Sequence, residues 1–271
     1  MREPLKALIA QMRWSGMERV LDEELDLAER QGTPVPEVLF RLLRAEEAAR
    51  REKSLAYRLA QAHLPWPWTL QSFPFARQPS VNKAQVLTLA GLDFLRRGEN
   101  LLLIGPPGTG KSGIAIGLLR EACLNGYRAH FYNAQALLDE LYASLADRST
   151  IGLLNQLCRL PLIVIDELGY LNLKPEQVNA FFRLMDQRYS LRLSTIVTTN
   201  VDLPDWYELF QKKPLVDALL DRLQHRCTLL RLSGASLRSE PDGSQATQTT
   251  APTAASTRAT SRRKTSPDDS A

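Results

Sequence analysis

The chain lacks several things whose absence narrows what it can be. In 271 residues it has only three cysteines, Cys123, Cys158 and Cys227, and no two form a C-x-x-C pair. Each sits among apolar neighbours, so the expectation is buried free thiols in a reducing compartment. No apolar stretch approaches the length of a membrane span, which argues against any membrane partner. Residues 1–12 are amphipathic, without the apolar core or cleavage site of a signal peptide, so the expected location is the cytoplasm. Charge of one sign is also scarce. Residues 1–64 carry 11 basic and 11 acidic side chains, 65–110 carry 4 and 2, 111–238 carry 15 and 13, and 239–271 carry 4 and 4. The net charge of +4 is spread thinly and does not by itself mark a nucleic-acid binder. Residues 239–271 have almost no large apolar side chain. They cannot bury enough surface to offset their ordering entropy, so a disordered tail is expected.

What is present begins with Gly105-Pro106-Pro107-Gly108-Thr109-Gly110-Lys111-Ser112, directly after the apolar run 101–104. The spacing G-x-x-x-x-G-K-[ST] between a strand and a helix is that of a phosphate-binding loop. Its glycines allow backbone angles that let successive N–H groups converge on an anion, with the following helix pointing its positive end there. Lys111 is expected to reach the β- and γ-phosphates, and the Ser112 hydroxyl to ligate Mg²⁺.

Periodicity divides the chain into four parts. Residues 1–64 read as a helical N-terminal domain for DNA or partner binding. Leu5, Leu8, Ile9 and Met12 share one face, as do Met17, Val20, Leu21 and Leu25. Gly32-Thr33-Pro34 breaks the pattern, and Pro36 opens a longer helix reaching about His63, itself read as a helix-end residue rather than a ligand. On that helix, Arg41, Arg44, Arg50, Arg51, Lys53 and Arg58 are interspersed with glutamates. This is either a solvated face laced with i,i+4 pairs or a contact surface for an anionic partner. Residues 65–81 form a linker rich in proline and aromatics (Trp66, Trp68, Phe73, Phe75), either packed down or a platform for stacking bases.

From residue 82 to 238, helices alternate with strands. Helices are expected at 82–97, 111–124, through Leu137 to Leu141, at 149–158, 175–189 and 214–224. Strands are expected at 101–104, 127–132, 161–165, 193–199 and 227–232. Apolar strands alternating with helices predict an α/β domain whose parallel sheet is covered on both faces.

Three further segments bear on chemistry. Leu162 to Ile165 form an apolar strand that ends in Asp166 and Glu167, at the edge where parallel sheets bind ligands. Asp166 is suited to hold Mg²⁺, and Glu167 to polarise the water that attacks a γ-phosphate. The next strand ends Thr198-Thr199-Asn200, and Asn200 is positioned to orient that water or sense the phosphate. Arg222, in Leu219 to Arg226, is suited to act as an arginine finger on a neighbouring subunit. A local ion pair with Asp221 is the alternative for it, and Arg226 competes for the finger role. Arg238 is placed to fold back onto the nucleotide.

Taken together, GPPGTGKS at 105–112, LIVIDELGY at 162–170, TTN at 198–200, ALLDRLQHR at 218–226 and GASLR at 234–238 resemble the AAA+ ATPases of the IstB/DnaC group. The resemblance is closest to IstB-type helper proteins of insertion sequences and extends to about residue 238. It implies an AAA+ P-loop core behind a small helical domain, with ATP and Mg²⁺ as ligands and hydrolysis at subunit interfaces. It also implies ATP-dependent homo-oligomers on double-stranded DNA of weak sequence preference, and partnership with a cognate transposase. Lys111 and Ser112 then belong to Walker A, Asp166 and Glu167 to Walker B, Asn200 to sensor 1, Arg222 to the finger and Arg238 to sensor 2. One position departs: Leu237 stands where the group usually has tyrosine. A helicase loader like DnaC and a nucleotide-gated adaptor with little hydrolysis are the alternative functions.

Overall fold

The computed structural model describes residues 2–238 except Tyr170 and Asn172. The expected tail, 239–271, lies outside the described residues. Three helices come first: α1 (Arg2–Gln11), α2 (Ser15–Gln31) and α3 (Val35–Gln61). Gly32 ends α2 in the left-handed region at φ 65°, and Pro34 and Pro36 start α3, where a missing N–H costs nothing. Ile9, Met17, Leu21, Val38 and Leu42 make a small core of their own. Gly16 lets α2 lie against α3, since a Cβ there would come within 2.5 Å of the Ala45 carbonyl. Buried Glu46 accepts hydrogen bonds from Gly16 N (2.8 Å), Met17 N (3.2 Å) and Arg50 Nε (2.6 Å), so an anion caps the start of α2. The basic run on α3 is laced as one of its two readings expected: Arg41 pairs with Glu37, Arg50 with Glu46 and Arg51 with Glu47 at i,i+4.

The rest is a five-stranded, all-parallel sheet of order β2-β3-β4-β1-β5. Its strands are β1 (Asn100–Ile104), β2 (Ala129–Asn133), β3 (Leu162–Asp166), β4 (Ser194–Thr199) and β5 (Cys227–Arg231). Alternate residues feed two cores. Leu102, Ile104, Ile163, Ile165 and Val197 face α7 (Ala134–Ala146), α8 (Thr150–Leu157), α9 (Pro175–Ser190), α10 (Trp206–Phe210) and α11 (Lys213–His225). Leu101, Leu103, Leu162, Val164 and Ile196 face α4 (Lys83–Ala90), α5 (Asp93–Arg97), α6 (Lys111–Leu124) and the linker.

The sequence reading needs four adjustments. The single helix expected at 82–97 is two, because Leu92 turns left-handed (φ 62°) and buries itself between them. β2 and β3 run one or two residues later than expected, which puts Asp166 inside its strand. The short helix α10 was not anticipated. Of the cysteines, all free, only Cys123 is fully buried.

The linker is packed down. Trp68, Phe73 and Leu70 occupy the space where Cβ atoms on Gly113, Gly110 and Gly117 would stand, so the small residues of α6 form the groove that receives it. Beyond α3 the chain seals the sheet edge. Ala62 O accepts from Phe131 N (2.9 Å) and His63 packs at a tilt against His130, while Arg58 of α3 donates from Nε to Cys123 O at the end of α6 (2.8 Å).

Candidate functional site

Because every strand is parallel, the C-terminal ends of β1 to β5 open on one edge of the sheet, and there lies a cavity of about 670 Å³. Gly105 to Gly110 bridges β1 and α6. Gly108 (φ 81°) and Gly110 (φ 94°) adopt angles that disfavour any Cβ, and a Cβ on Gly105 would collide with Leu232 O at 2.1 Å. Thr109 is buried and ties its hydroxyl to Pro106 O (2.8 Å). The loop is clamped from outside: Leu237 N donates to Gly108 O (2.8 Å), and the buried Gln78 amide donates to Thr109 O (3.1 Å) and Ala235 O (3.3 Å). Pro107, Gly108, Gly110, Lys111 and Ser112 all line the cavity. The Lys111 ammonium rests on Gly105 O (2.6 Å) and Pro106 O (2.8 Å). Burial lowers its pKa, with Arg238 adding to that effect and Asp166 and Glu167 opposing it.

The ends of β3 and β4 supply the acidic wall. Asp166 is 3 % exposed, and its Oδ1 accepts from Thr198 Oγ1 at 2.5 Å. Burial pushes its pKa up. Hydrogen bonds from Thr198 and Ser112 oppose that, and neighbouring Glu167 adds to it. Glu167 has a left-handed backbone (φ 63°), donates its N–H to Thr198 Oγ1 (3.0 Å) and presents its exposed side chain to the cavity. There its Oε2 accepts from Asn133 Nδ2 (3.3 Å), while Asn133 Oδ1 caps α7 through Gln135 N and Ala136 N. Asn200 also lines the cavity, packed so closely that a Cβ on Gly169 would meet its Oδ1 at 2.2 Å. The Ser112 hydroxyl lies near enough to the Asp166 carboxyl to lower its pKa, and the two form a hard-oxygen pair that fits a Mg²⁺ ion retaining most of its water.

Trp66, Trp68, Pro74 and Arg77 of the linker complete the wall, with Leu237 and Arg238. Arg222 lies elsewhere, on α11, paired at 2.9 Å with Asp186 of α9 rather than with Asp221. It is not among the residues that line the cavity. The Arg226 carbonyl accepts from Asn100 N (2.8 Å), which fixes its backbone to the sheet. Thr198, Asn133 and Gln78 were missed by sequence reasoning. Asn133 alone left a signal, a cap residue just before a helix.

Residues 7–245 match the model of a family described as IstB-like ATP binding protein. The ATP-binding protein of insertion sequence IS21 from Pseudomonas aeruginosa is 35% identical over 234 residues, 86% of this chain and 88% of its own. Its counterpart from IS5376 of Geobacillus stearothermophilus is 33% identical over 83% of this chain and 87% of its own. Among solved structures, the DnaC helicase loader aligns with a TM-score of 0.52 at 22% identity, over 62% of this chain and 97% of that one. DnaI aligns with 0.52 at 18% identity, over 61% and 91%. These two similarities are of fold, that of AAA+ ATPases. Among the described residues no helix is long and apolar enough to cross a membrane.

Proposed function

Since the chain belongs to the family of IstB-like ATP-binding proteins, we propose that it is a Mg²⁺-dependent ATPase that assembles on DNA and stimulates or directs a transposase. The observation that carries the hydrolytic part is the convergence of Lys111, Ser112 and Glu167 on one cavity at the strand ends, with buried Asp166 close behind Ser112. In this reading the loop N–H groups and Lys111 bind the phosphates, Lys111 leaving its loop carbonyls to do so. Ser112 and Asp166 hold the Mg²⁺, which when bound neutralises charge developing on the phosphates. Glu167 accepts a proton from the attacking water, Asn200 orients that water, and Arg238 adds positive charge beside Lys111. The indoles of Trp66 and Trp68 offer apolar faces to the base.

Arg222 supports an oligomeric site. It does not line its own cavity and is partly exposed beside Asp186, as a residue free to serve a neighbour's γ-phosphate must be. The domain division at 1–64, 65–81 and 82–238 belongs to the same proposal, with the N-terminal helices meeting DNA or a partner protein. Insertion-sequence relatives at 33–35% identity favour a transposition helper over a helicase loader, because the DnaC likeness is one of fold. A cavity-facing Glu167 favours turnover over a nucleotide-gated adaptor.

The test is ATP hydrolysis and sedimentation of the pure protein, with and without duplex DNA and Mg²⁺. DNA-stimulated phosphate release and an ATP-dependent rise in mass are expected. An unchanged mass and no turnover under every condition would sink the proposal.

A further inference from the structure

Thr198 is fully buried at the penultimate position of β4 and has no role in the steps above, yet it touches both acidic residues. Neighbouring residues of a strand face opposite sides of the sheet. Asp166 and Glu167 therefore cannot both serve one cavity while the chain stays extended. β3 ends at Asp166, and Glu167 turns into the left-handed region at φ 63°, which residues with a Cβ rarely adopt. Two consecutive N–H groups of that turn are held by one residue. Glu167 N donates to Thr198 Oγ1 at 3.0 Å and Leu168 N to Thr198 O at 2.9 Å. The same hydroxyl spends its single proton on Asp166 Oδ1, at 2.5 Å.

We propose that Thr198 is a positioning residue of the hydrolytic site, its one hydroxyl setting the Asp166 carboxylate toward Ser112 and holding the backbone turn that brings Glu167 to the cavity. This rests on the ATPase reading given above. Valine has the same shape and neither donor nor acceptor. In Thr198→Val, Asp166 loses the hydroxyl that fixes its carboxylate and can rotate, and the Glu167 N–H loses its acceptor, so the turn relaxes. Serine restores the hydroxyl and drops only a methyl group. A threonine that merely fills space would show the reverse order of tolerance.

The experiment measures ATP affinity with and without Mg²⁺, and steady-state hydrolysis, for the wild type, Thr198→Val and Thr198→Ser. Groups that orient a metal ligand typically contribute about 10- to 100-fold to metal affinity or activity. The expected result is a loss of that size in kcat for Thr198→Val, with KM for ATP in Mg²⁺ rising by no more than the factor by which Mg²⁺ tightens ATP binding to the wild type. ATP binding without Mg²⁺ should be unaltered, the tightening caused by Mg²⁺ should largely vanish in Thr198→Val, and Thr198→Ser should recover both. The inference is overturned if Thr198→Val keeps the wild-type response to Mg²⁺, if Thr198→Ser is as impaired as Thr198→Val, or if Mg²⁺-free binding falls by the same factor as binding with Mg²⁺. Should the wild type hydrolyse no ATP at all, the ATPase reading fails, and the Mg²⁺ response of the two variants still decides the role of Thr198.

Discussion

Three rings, His63, His130 and Tyr132, pack together where the end of α3 meets the edge strand β2, His63 tilted against His130 and Tyr132 stacked on it, with centroids 4.5 and 4.1 Å apart. Burial, helped by the neighbouring His63 and opposed by a hydrogen bond that the ring donates to the Gln61 backbone, pushes the pKa of His130 down to about 4. In the unfolded chain a histidine titrates near about 6.5. The folded value is the lower one, so the unfolded state takes up the proton first. The contribution to stability is whole above pH 6.5 and drains away as the pH falls toward 4. Between pH 7 and pH 5 the full shift corresponds to about 2 kcal/mol. The ring is only half buried, and solvent screening brings this to about 1 kcal/mol. His130→Phe keeps a ring in the stack and removes the proton. Urea unfolding at pH 7 and pH 5 should show the wild type losing about 1 kcal/mol more than the variant over that interval. Equal losses would refute the coupling of His130 protonation to the seam between the N-terminal helices and the sheet.

Other substitutions probe the cavity directly. Lys111→Ala removes the charged donor to the phosphates and should weaken ATP binding by about 100-fold in a titration of nucleotide affinity. Glu167→Gln should bind ATP normally and lose turnover by about 10²- to 10⁴-fold, leaving an ATP-bound oligomer visible by sedimentation. Arg222→Ala should bind ATP as the wild type does and lose oligomer-dependent hydrolysis by about 10³-fold or more; full turnover in Arg222→Ala alongside a dead Arg226→Ala would transfer the finger to Arg226. Asn133→Ser retains a cap for α7 but is too short to reach Glu167. One weak hydrogen bond of about 0.5–1 kcal/mol is then released, so DNA-independent hydrolysis should rise by about two- to fivefold with little change in melting temperature.

The parts of this molecule that were readable from sequence are those whose geometry is local. The loop at 105–112 could be recognised because its glycines answer to backbone angles set within a few residues, 81° at Gly108 and 94° at Gly110. The α/β architecture was readable because each strand is a short apolar run and each helix carries its own periodicity. The helix expected at 82–97 failed for a local reason of another kind. Its apolar spacing is helical throughout, and only the burial of Leu92 in the core beside β1 and α6 selects the left-handed turn that splits it.

What could not be read is what depends on strand order. β3 lies between β2 and β4, and its register sets Asn133 opposite Asp166. That order brings Asn133, from 34 residues upstream, and Thr198, from 31 residues downstream, onto the same glutamate. Had β3 been an edge strand, Glu167 could have met only one of them. Sequence separation carries no trace of this, since a chain with the same strands in another order would present the same motifs. The motifs therefore name the chemistry, while the strand order decides how Asp166 and Glu167 are held. It follows that a substitution at Thr198 should act through both carboxylates and one at Asn133 through Glu167 alone, and that either should leave the phosphate-binding loop, which is built from β1 and α6, nearly undisturbed.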